Sequence, residues 1–358
     1  MQILHILESF AAGGIETTFL HALRAFRASD PDVSHHVLSF GGGALEARYR
    51  DAAESVTIDP SPDVVELCRD RRIELVHVLF ERCAYRLMPA LVARSAVPVV
   101  YGKGYDMGGM YRLNEGLDWQ ADASLLAAAD GVTFTTADLE SGYGLPAGRA
   151  TVLGKAADVA RFAQLPVPDA TTPMRIVCVA NLHPRKRLGD LIEALAVVRA
   201  EVPSATLRFV GGGNDAERAR LTRLAEFRGL ASAVSFAGPV EDVAAELAAA
   251  RVAALPSSCE GVPTALIEAM AAARPVVATR VGHVRSIIAD GVEGWLVAPG
   301  DVPALASRLA HVLADQDASR EMGLAGRRRA AAHDVVRVAR AQLAALRAAR
   351  QRSLLQVH

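Results

Sequence analysis

The stretch RVAALPSSCEGVPTALIEAMAAARPVVAT, residues 251–279, decides the fold. Its apolar runs at 251–256 and 275–279 predict two β-strands, and the alanine-rich segment 263–273 predicts a helix between them. Pro263 suits the first turn of that helix, where its missing N–H is not needed. Short strands of near-continuous apolar character that are joined by a helix are typical of a parallel sheet covered on both faces.

The same alternation runs twice along the 358 residues. Helices are predicted at 14–28, 84–95, 188–200 and 215–229. The predicted strands are ILHIL, SHHVLSF, ELVHVL, VPVVYG, GVTFTT and ATVLG in the first half, and MRIVCVA, TLRFVG, VSFAG, RVAALP, PVVAT and GWLVA in the second. Two such halves predict an α/β protein with two Rossmann-like doubly wound domains facing a central cleft.

Residues 163–173, AQLPVPDATTP, carry three prolines and no periodicity, which predicts a linker. We therefore expect an N-terminal domain at 1–162 and a C-terminal domain at 174–332. Residues 333–358 predict a final helix, with Val335, Ala339, Gln342, Leu343 and Leu346 on one face. We expect it to pack back toward the N-terminal domain. Peripheral contact with a membrane surface is the alternative that the pattern does not favour.

The composition excludes several classes of protein. A formal net charge of −1 gives no general attraction to nucleic acid or membrane. The four cysteines are scattered without a C-x-x-C pair, so neither a disulfide framework nor a zinc site is indicated. The N-terminus lacks the basic and apolar regions of a signal peptide, and no apolar run approaches the roughly 18 residues of a membrane span. The expected compartment is the cytoplasm.

Two glutamates flank the start of the helix predicted at 263–273. Thr264 and Glu268 are four residues apart and share one helix face, while Glu260 lies in the preceding loop. A helix N-terminus after a parallel strand binds phosphate through its free N–H groups and its positive dipole end. A carboxylate further along the helix can accept both hydroxyls of a ribose. The pattern therefore predicts a nucleoside diphosphate site, with a capped helix bearing one exposed glutamate as the alternative.

Glu260 and Glu268, in EGVPTALIEAM, match an E-x7-E motif, and with it the sequence resembles the family 4 retaining glycosyltransferases. The segment VANLHPRKRLGDLIEAL is similar to the family's lysine-bearing segment, with Lys186 at the lysine position. The segments LRFVGGG, VSFAGPVEDV and DGVEGWLVAPGD follow in the family's order. Near the N-terminus AAGGIE resembles the family's glycine-rich loop, and AADVARF, with Asp158, resembles its hinge. The resemblance covers nearly the whole chain.

The resemblance implies the glycosyltransferase-B fold and a retaining, metal-independent transfer of a sugar from a nucleoside diphosphate sugar to an acceptor. The N-terminal domain would hold the acceptor and the C-terminal domain the donor. Lys186 and Glu260 would be catalytic, and no residue stands out as a nucleophile. The implied donor-binding residues are Gly13, Gly14, Arg185, Gly211, Pro239, Val240, Gly261, Val262, Pro263, Thr264 and Glu268. No metal or other cofactor is expected, because Lys186 and the helix N-terminus can neutralise the leaving diphosphate.

The stretch YGKGYDMGGMYR, residues 101–112, predicts the acceptor loop, because long loops at the ends of parallel strands often carry function. Lys103, Tyr105, Asp106 and Arg112 are its candidate contacts. A connection without function is the alternative. A glycan, a lipid and a small molecule all stay open as acceptors, as do the nucleobase, the sugar and the oligomeric state.

Two departures from the family pattern leave other functions open. Asn181 stands where the family often has an arginine, so Arg185 or Arg187 would have to supply a positive charge. Gly104 stands where the family often has a histidine near the reacting sugar. One rival is a non-catalytic nucleotide-sugar-binding protein. The other is a sugar-nucleotide epimerase or phosphorylase of the same fold.

Two further motifs in the sequence have structural interpretations, and one histidine is a secondary site candidate. The G-x-G-x-x-A match at 211–216 has no acidic residue about 20 positions on, so a nicotinamide site is not predicted. The D-x-D triplets at 30–32 and 315–317 lie at predicted helix ends and indicate turns rather than a metal site. His283, directly after Gly282, is a secondary candidate to face the sugar.

Overall fold

The structure is a computed structural model that describes residues 1–11, 13–79, 81–104 and 119–356. The chain divides into two compact units. The first contains Met1–Ala157 together with Asp334–His358, and the second contains Asp158–His333.

The first unit is built on seven parallel strands in the order β3-β2-β1-β4-β5-β6-β7. The strands are β1 (Gln2–Leu7), β2 (Ser34–Ser39), β3 (Ser55–Ile58), β4 (Leu75–Val78), β5 (Val99–Lys103), β6 (Gly131–Phe134) and β7 (Ala150–Val152). The helices described between them are α1 (Gly14–Ser29), α2 (Glu46–Ala52), α3 (Val64–Asp70), α4 (Glu81–Arg94), α5 (Trp119–Ala128) and α6 (Ala137–Ser141).

The second unit is built on six parallel strands in the order β10-β9-β8-β11-β12-β13. The strands are β8 (Arg175–Val179), β9 (Thr206–Val210), β10 (Val234–Phe236), β11 (Val252–Leu255), β12 (Val276–Thr279) and β13 (Gly294–Val297). The helices are α7 (Val159–Ala163), α8 (Gly189–Glu201), α9 (Asp215–Phe227), α10 (Val243–Ala248), α11 (Thr264–Ala271), α12 (Val284–Ile287), α13 (Val302–Ala314) and α14 (Gln316–Ala330), with 3-10 turns at Pro184–Lys186 and Ala331–His333.

The last helix, α15 (Val335–Gln356), belongs to the first unit. Its residues Ala339, Leu343 and Leu346 are buried in the core that α1 also lines. Arg347 adds an ion pair with Asp30, the residue that follows α1. The apolar stripe read from the sequence is therefore the face that this helix buries.

Alternation along β1 shows why both faces of the first sheet are covered. Ile3 and Leu7 point into the core beneath α1 and α15, whereas Leu4 and Ile6 point into a second core lined by α3, α4 and α5. Successive side chains of a strand lie on opposite faces, so an apolar run along a strand requires helices on both sides. The prediction of doubly wound parallel sheets is confirmed.

Every strand predicted from the sequence is present, and the residues that the structure describes contain one further strand, β3. β3 has four residues, lies at the edge of its sheet, and leaves Ile58 partly exposed. An edge strand of this kind has no continuous apolar run, which is why the pattern did not reveal it.

The predicted domain boundaries need correction, because the observed division lies at Ala157 and Asp158 and the segment 163–173 is part of the second unit. Arginine side chains bind the carbonyl oxygens of this proline-rich segment. Arg274 donates to Pro166 over 2.7 Å, Arg327 to Leu165 over 2.7 Å, and Arg251 to Thr172 over 2.6 Å. These contacts attach the segment to the unit, so it is not a free linker.

Within the described ranges, no helix is long and apolar enough to cross a membrane.

Candidate functional site

The sequence-predicted donor residues of the second unit lie on the loops that follow β8, β9, β10 and β11 and on α11, the helix that comes after β11. β8 pairs with β9 on one side and with β11 on the other. The strand order therefore reverses between β8 and β11, and ligands of open α/β sheets bind at such a reversal, outside the carboxyl ends of the strands. Lys186 follows β8 and Glu260 follows β11, so both lie at this position.

Lys186 and Glu260 form an ion pair between the two loops. The Lys186 Nζ donates a hydrogen bond to Oε1 of Glu260, and the two side chains are only 12% and 7% exposed. A buried carboxylate and a buried ammonium are stable only when each has a partner, so this contact fixes both groups. The ion pair therefore fixes one ammonium and one carboxylate on the loops after β8 and β11.

Hydrogen bonds join the two loops beside this pair. The backbone N–H and the hydroxyl of Ser258 both donate to the carbonyl oxygen of Arg185, over 2.8 and 2.9 Å. On the first loop, His183 caps the 3-10 turn by accepting from the N–H of Arg185. The turn then ends at Arg187 in the left-handed conformation, with φ of 50°. The position of Lys186 is thus set by backbone contacts on both sides.

The helix α11 begins at Thr264 beside the ion pair. No side chain in the described part of the chain caps this helix, whereas Asn214, Asp242, Asp301 and Asp315 cap other helices of the unit. Uncapped first-turn N–H groups carry the positive end of the helix dipole and bind anions. Glu268 is half-buried in the second turn of the same helix, and the preceding residues Gly261, Val262 and Pro263 are buried.

The glycines after β9 allow two backbone segments to approach closely. Gly211 has φ of 142°, and a Cβ there would lie 2.3 Å from the carbonyl oxygen of Ala180. A Cβ on Gly213 would lie 2.7 Å from the backbone of Leu182. Residues with a side chain cannot occupy these positions without displacing the backbone after β8. The G-x-G pattern therefore serves the loop packing around β8 and β9.

The residues after β10 lie next to this glycine turn. Pro239 is exposed, Val240 is half-buried, and a Cβ on Gly212 would lie 3.7 Å from the Pro239 ring. Their predicted contact with a nucleobase stays a prediction.

Cys178, in β8, lies beneath the ion pair and has no reactive character. Burial raises the pKa of its thiol to about 12, with the charges of Lys186 and Glu260 acting in opposite directions. A buried thiol of this kind is protonated at neutral pH and is a poor nucleophile.

Arg187, one of the two arginines offered in place of the charge missing at Asn181, is paired with an acidic residue. The Arg187 guanidinium makes two hydrogen bonds to Asp190, of 2.8 and 3.3 Å, and lies against Gly300. Asn181 itself is exposed, and Arg185 is half-buried. Which of the two arginines, Arg185 or Arg187, compensates for Asn181 stays a prediction.

Gly13 and Gly14, the glycines predicted to approach the donor phosphate, begin α1 in the first unit. The Glu16 carboxylate folds back onto Gly13, where a Cβ would lie 2.2 Å from it. Burial, which is the largest of several effects on this group, raises the pKa of Glu16. The predicted contact of these glycines with a donor stays a prediction.

Lys103 does not fit its predicted role as an acceptor contact. It is 1% exposed, and its ammonium lies 3.0 Å from Oε1 of Glu81 and 3.2 Å from Oδ2 of Asp122. Asp122 also accepts from the hydroxyls of Tyr101 and Tyr143, over 3.0 and 2.8 Å. The lysine is therefore part of a buried network that joins β5 to α4 and α5. The other predicted acceptor contacts, Tyr105, Asp106 and Arg112, lie outside the described residues.

Residues 173–315 match the family model of the glycosyl transferases group 1. This region is therefore similar to a group 1 glycosyltransferase domain. It begins just before β8 and contains Lys186, Glu260 and α11. Among the residues described, no three His, Cys, Asp or Glu side chains of the chain are grouped so that they could hold a metal ion.

Relatives of the chain carry glycosyltransferase names. The GDP-mannose-dependent alpha-(1-6)-phosphatidylinositol monomannoside mannosyltransferase of Mycolicibacterium smegmatis is 36% identical over 222 residues, which are 56% of this chain and 57% of that protein. The chain thus spans little more than half the length of this curated relative.

Solved structures match almost the whole chain. Anabaena HepE in complex with UDP has a TM-score of 0.81 at 20% identity, covering 96% of this chain and 98% of its own. The sucrose-phosphate synthase of Thermosynechococcus elongatus has a TM-score of 0.80 at 21% identity and covers all of both chains. This likeness shows the glycosyltransferase-B fold expected from the sequence.

The region that matches the family model also contains site residues that the sequence pattern did not reveal. Ser257 donates a hydrogen bond of 2.6 Å to Oε1 of Glu260, and Ser258 joins the two loops. His283, which the sequence did offer as a secondary candidate, is buried, and its backbone N–H donates to the carbonyl oxygen of Gly261 over 3.3 Å. The sequence signal for the serines was the triplet PSS at 256–258, separated from Glu260 by one cysteine. The triplet became informative only once the hydrogen-bonding partners of the serines were known.

Proposed function

We propose that the chain is a retaining glycosyltransferase that moves a sugar from a nucleoside diphosphate sugar to an acceptor without a metal ion. The observation that carries this proposal is the Lys186–Glu260 pair at the reversal of strand order, beside the uncapped N-terminus of α11. This arrangement places a cation, a set of backbone N–H groups and a carboxylate on adjacent loops of one unit.

The cation and the helix N-terminus suit the leaving diphosphate. Cleavage of the bond between the sugar and the diphosphate leaves negative charge on the phosphate oxygens, and prepositioned donors stabilise that charge as it develops. Lys186 supplies one donor and the first-turn N–H groups around Thr264 supply others. These groups can stabilise the charge of the leaving diphosphate without a divalent cation, which supports the metal-independent assignment.

The two carboxylates suit the hydroxyl groups at either end of the diphosphate. Glu260 would accept hydrogen bonds from the sugar hydroxyls, and Glu268, further along α11, would accept them from the ribose. With no protein nucleophile indicated by the sequence, transfer on the same face of the sugar would use the departing phosphate to help deprotonate the acceptor. This mechanism and its retention of configuration follow from the family resemblance.

The names of the relatives suggest the first donors to try. The M. smegmatis relative is named as GDP-mannose-dependent, and HepE has also been solved with UDP-glucose. Both donors are nucleoside diphosphate hexoses, so GDP and UDP are the first nucleotides to compare.

Thermal unfolding with GDP, UDP, ADP and TDP tests the binding half of the proposal. A ligand present at about 100 times its dissociation constant stabilises the folded state by about 2.7 kcal/mol. Incubation of the best nucleotide sugar without an acceptor then tests catalysis, through slow release of the free nucleoside diphosphate. Binding without such release would indicate a non-catalytic binding protein, and an epimerised donor without release would indicate an epimerase. A chain that binds none of these nucleotides would overturn the proposal.

A further inference from the structure

We propose that Ser257 is a positioning residue for Glu260 during sugar transfer, an inference that rests on the proposed function. Ser257 follows β11 and is fully buried. Its hydroxyl donates to Oε1 of Glu260 over 2.6 Å, the same oxygen that accepts from Lys186. A carboxylate oxygen has two lone pairs, and here a serine and a lysine occupy them together.

The backbone around Ser257 is itself fixed by the next strand. Thr279, at the end of β12, is 2% exposed, and its hydroxyl donates to the carbonyl oxygen of Ser257 over 2.6 Å. This bond sets the orientation of the peptide that carries the Ser257 side chain. The direction of the serine hydroxyl toward Glu260 is therefore determined by β12 as well as by its own loop.

The backbone of Glu260 is held as closely as its side chain. Gly282 has φ of 49°, and a Cβ at this position would lie 1.7 Å from the carbonyl oxygen of Glu260. Only a glycine fits such an approach, so the segment after β12 packs directly against the glutamate. Both ends of Glu260 are thus held by residues that follow β11 and β12.

Because both the side chain and the backbone of Glu260 are held in place, its carboxylate can keep one orientation during the reaction. Lys186 is the group proposed to meet the leaving diphosphate, and its ammonium must then share its hydrogen bonds between the phosphate and Glu260. Ser257 keeps Oε1 in place throughout, so that Oε2 stays directed to a sugar hydroxyl. A group held in its reactive position in this way contributes to the transition state without reorganisation.

The test is Ser257→Ala, measured after the wild-type protein has been shown to bind a nucleoside diphosphate and to turn over its sugar donor. We expect kcat to fall about tenfold to a hundredfold, the usual effect of losing a hydrogen bond to a charged group. The dissociation constant of the nucleoside diphosphate, which has no sugar, should stay within about twofold, and KM for the donor should change far less than kcat. Ser257→Cys, which restores a weak donor of similar size, should recover part of kcat.

Ser319→Ala is the matched control. Ser319 is a buried serine of the same unit, and its hydroxyl donates to the carbonyl oxygen of Val312 over 2.7 Å, away from the loops of the site. It should lower the unfolding temperature with little effect on kcat. Equal effects of Ser257→Ala and Ser319→Ala on both kcat and unfolding would overturn the positioning role. So would a wild-type kcat in Ser257→Ala. A wild-type chain without nucleotide binding or turnover would instead overturn the proposed function.

Discussion

Lys186 and Glu260 are 74 residues apart in the sequence, yet their side chains form an ion pair between the loops after two neighbouring strands. Neither side chain is more than 12% exposed. Removal of one partner from such a pair leaves the other buried without a counter-charge, which typically costs about 3–5 kcal/mol. Any substitution of Lys186 therefore affects both the stability of the unit and its proposed chemistry, and the two effects have to be separated.

Lys186→Ala should lower turnover by about 10²–10³, because it removes a prepositioned cation from the leaving diphosphate. The double variant Lys186→Gln with Glu260→Gln separates this effect from instability. It replaces the ion pair with two neutral amides, so it should unfold at a higher temperature than Lys186→Ala while its turnover stays low. Steady-state kinetics and thermal unfolding of the three proteins provide the measurement.

Arg185→Ala is the control for the register of this loop, since Arg185 neighbours Lys186 in the same 3-10 turn. It should reduce turnover much less than Lys186→Ala. Loss of activity in Arg185→Ala with retention in Lys186→Ala would shift the diphosphate contact to the arginine. Retention in both would place the diphosphate elsewhere.

Glu268→Gln should weaken binding of the nucleoside diphosphate by about 1–3 kcal/mol, as expected for losing a charge-assisted hydrogen bond. The side chain is half-buried on α11, so the substitution keeps its volume and should leave the fold intact. Isothermal titration with the nucleotide that stabilises the wild-type chain most is the appropriate measurement. An unchanged affinity would mean that Glu268 does not contact the ribose.

Turnover should persist in excess EDTA, because Lys186 and the N-terminus of α11 are proposed to neutralise the diphosphate. The measurement compares initial rates in untreated buffer, with EDTA, and with EDTA followed by excess magnesium or manganese. A rate that EDTA abolishes and a divalent cation restores would overturn the metal-independent assignment.

The sequence predicted the sheets well because their strands are apolar on both faces and are separated by amphipathic helices. It misplaced the domain boundary for a tertiary reason. The carbonyl oxygens of the segment 163–173 bind Arg274 and Arg327, which follow much later in the chain, and Arg327 is 162 residues from its partner Leu165. A local proline count cannot reveal such partners.

At the candidate site, too, the sequence revealed local motifs but not the contacts between residues that are distant in the chain. Motif spacing drew attention to Lys186 and Glu260, but nothing in the sequence showed that they contact each other. Lys103 was predicted as an acceptor contact because it lies in the stretch 101–112, where a long loop after a parallel strand often carries function. Its partners Glu81 and Asp122 are 22 and 19 residues away, so its burial depends on the packing of α4 and α5 against β5.

Three buried histidines of the first unit give the stability of the protein a dependence on pH. His5 lies between His35 and His77, with nitrogen–nitrogen distances of 2.9 and 3.1 Å, and His77 lies 3.3 Å from the amide of Gln342 on α15. Burial is the main cause that lowers the pKa of all three, to about 4 for His35, to about 3 for His77, and well below the usual value for His5. The histidines are therefore neutral in the folded unit at neutral pH.

The free energy of unfolding should consequently fall as the pH drops below about 6.5. Unfolded histidines take up protons near that pH, whereas the folded His35 and His77 do so only near pH 4 and 3. The stabilisation is complete above the unfolded pKa and is lost as the pH falls toward the folded values. Each such histidine contributes a slope of up to about 1.4 kcal/mol per pH unit. Urea unfolding at pH 7.0, 6.0 and 5.5, above the range where most carboxylates titrate, measures this slope.

His77→Gln should reduce the proton uptake that accompanies unfolding at pH 5.5 by about one, because it removes one of the three histidines that contact one another. His311→Gln is the control, since it replaces an exposed histidine on α13 of the second unit, outside the group of contacting histidines. Calorimetric unfolding in two buffers of different ionisation enthalpy gives the proton uptake directly. A free energy of unfolding that is constant between pH 7.0 and 5.5 would mean that these histidines already bind protons in the folded unit. In that case the ring contacts among His5, His35 and His77 would have to be reassigned to charged imidazoles.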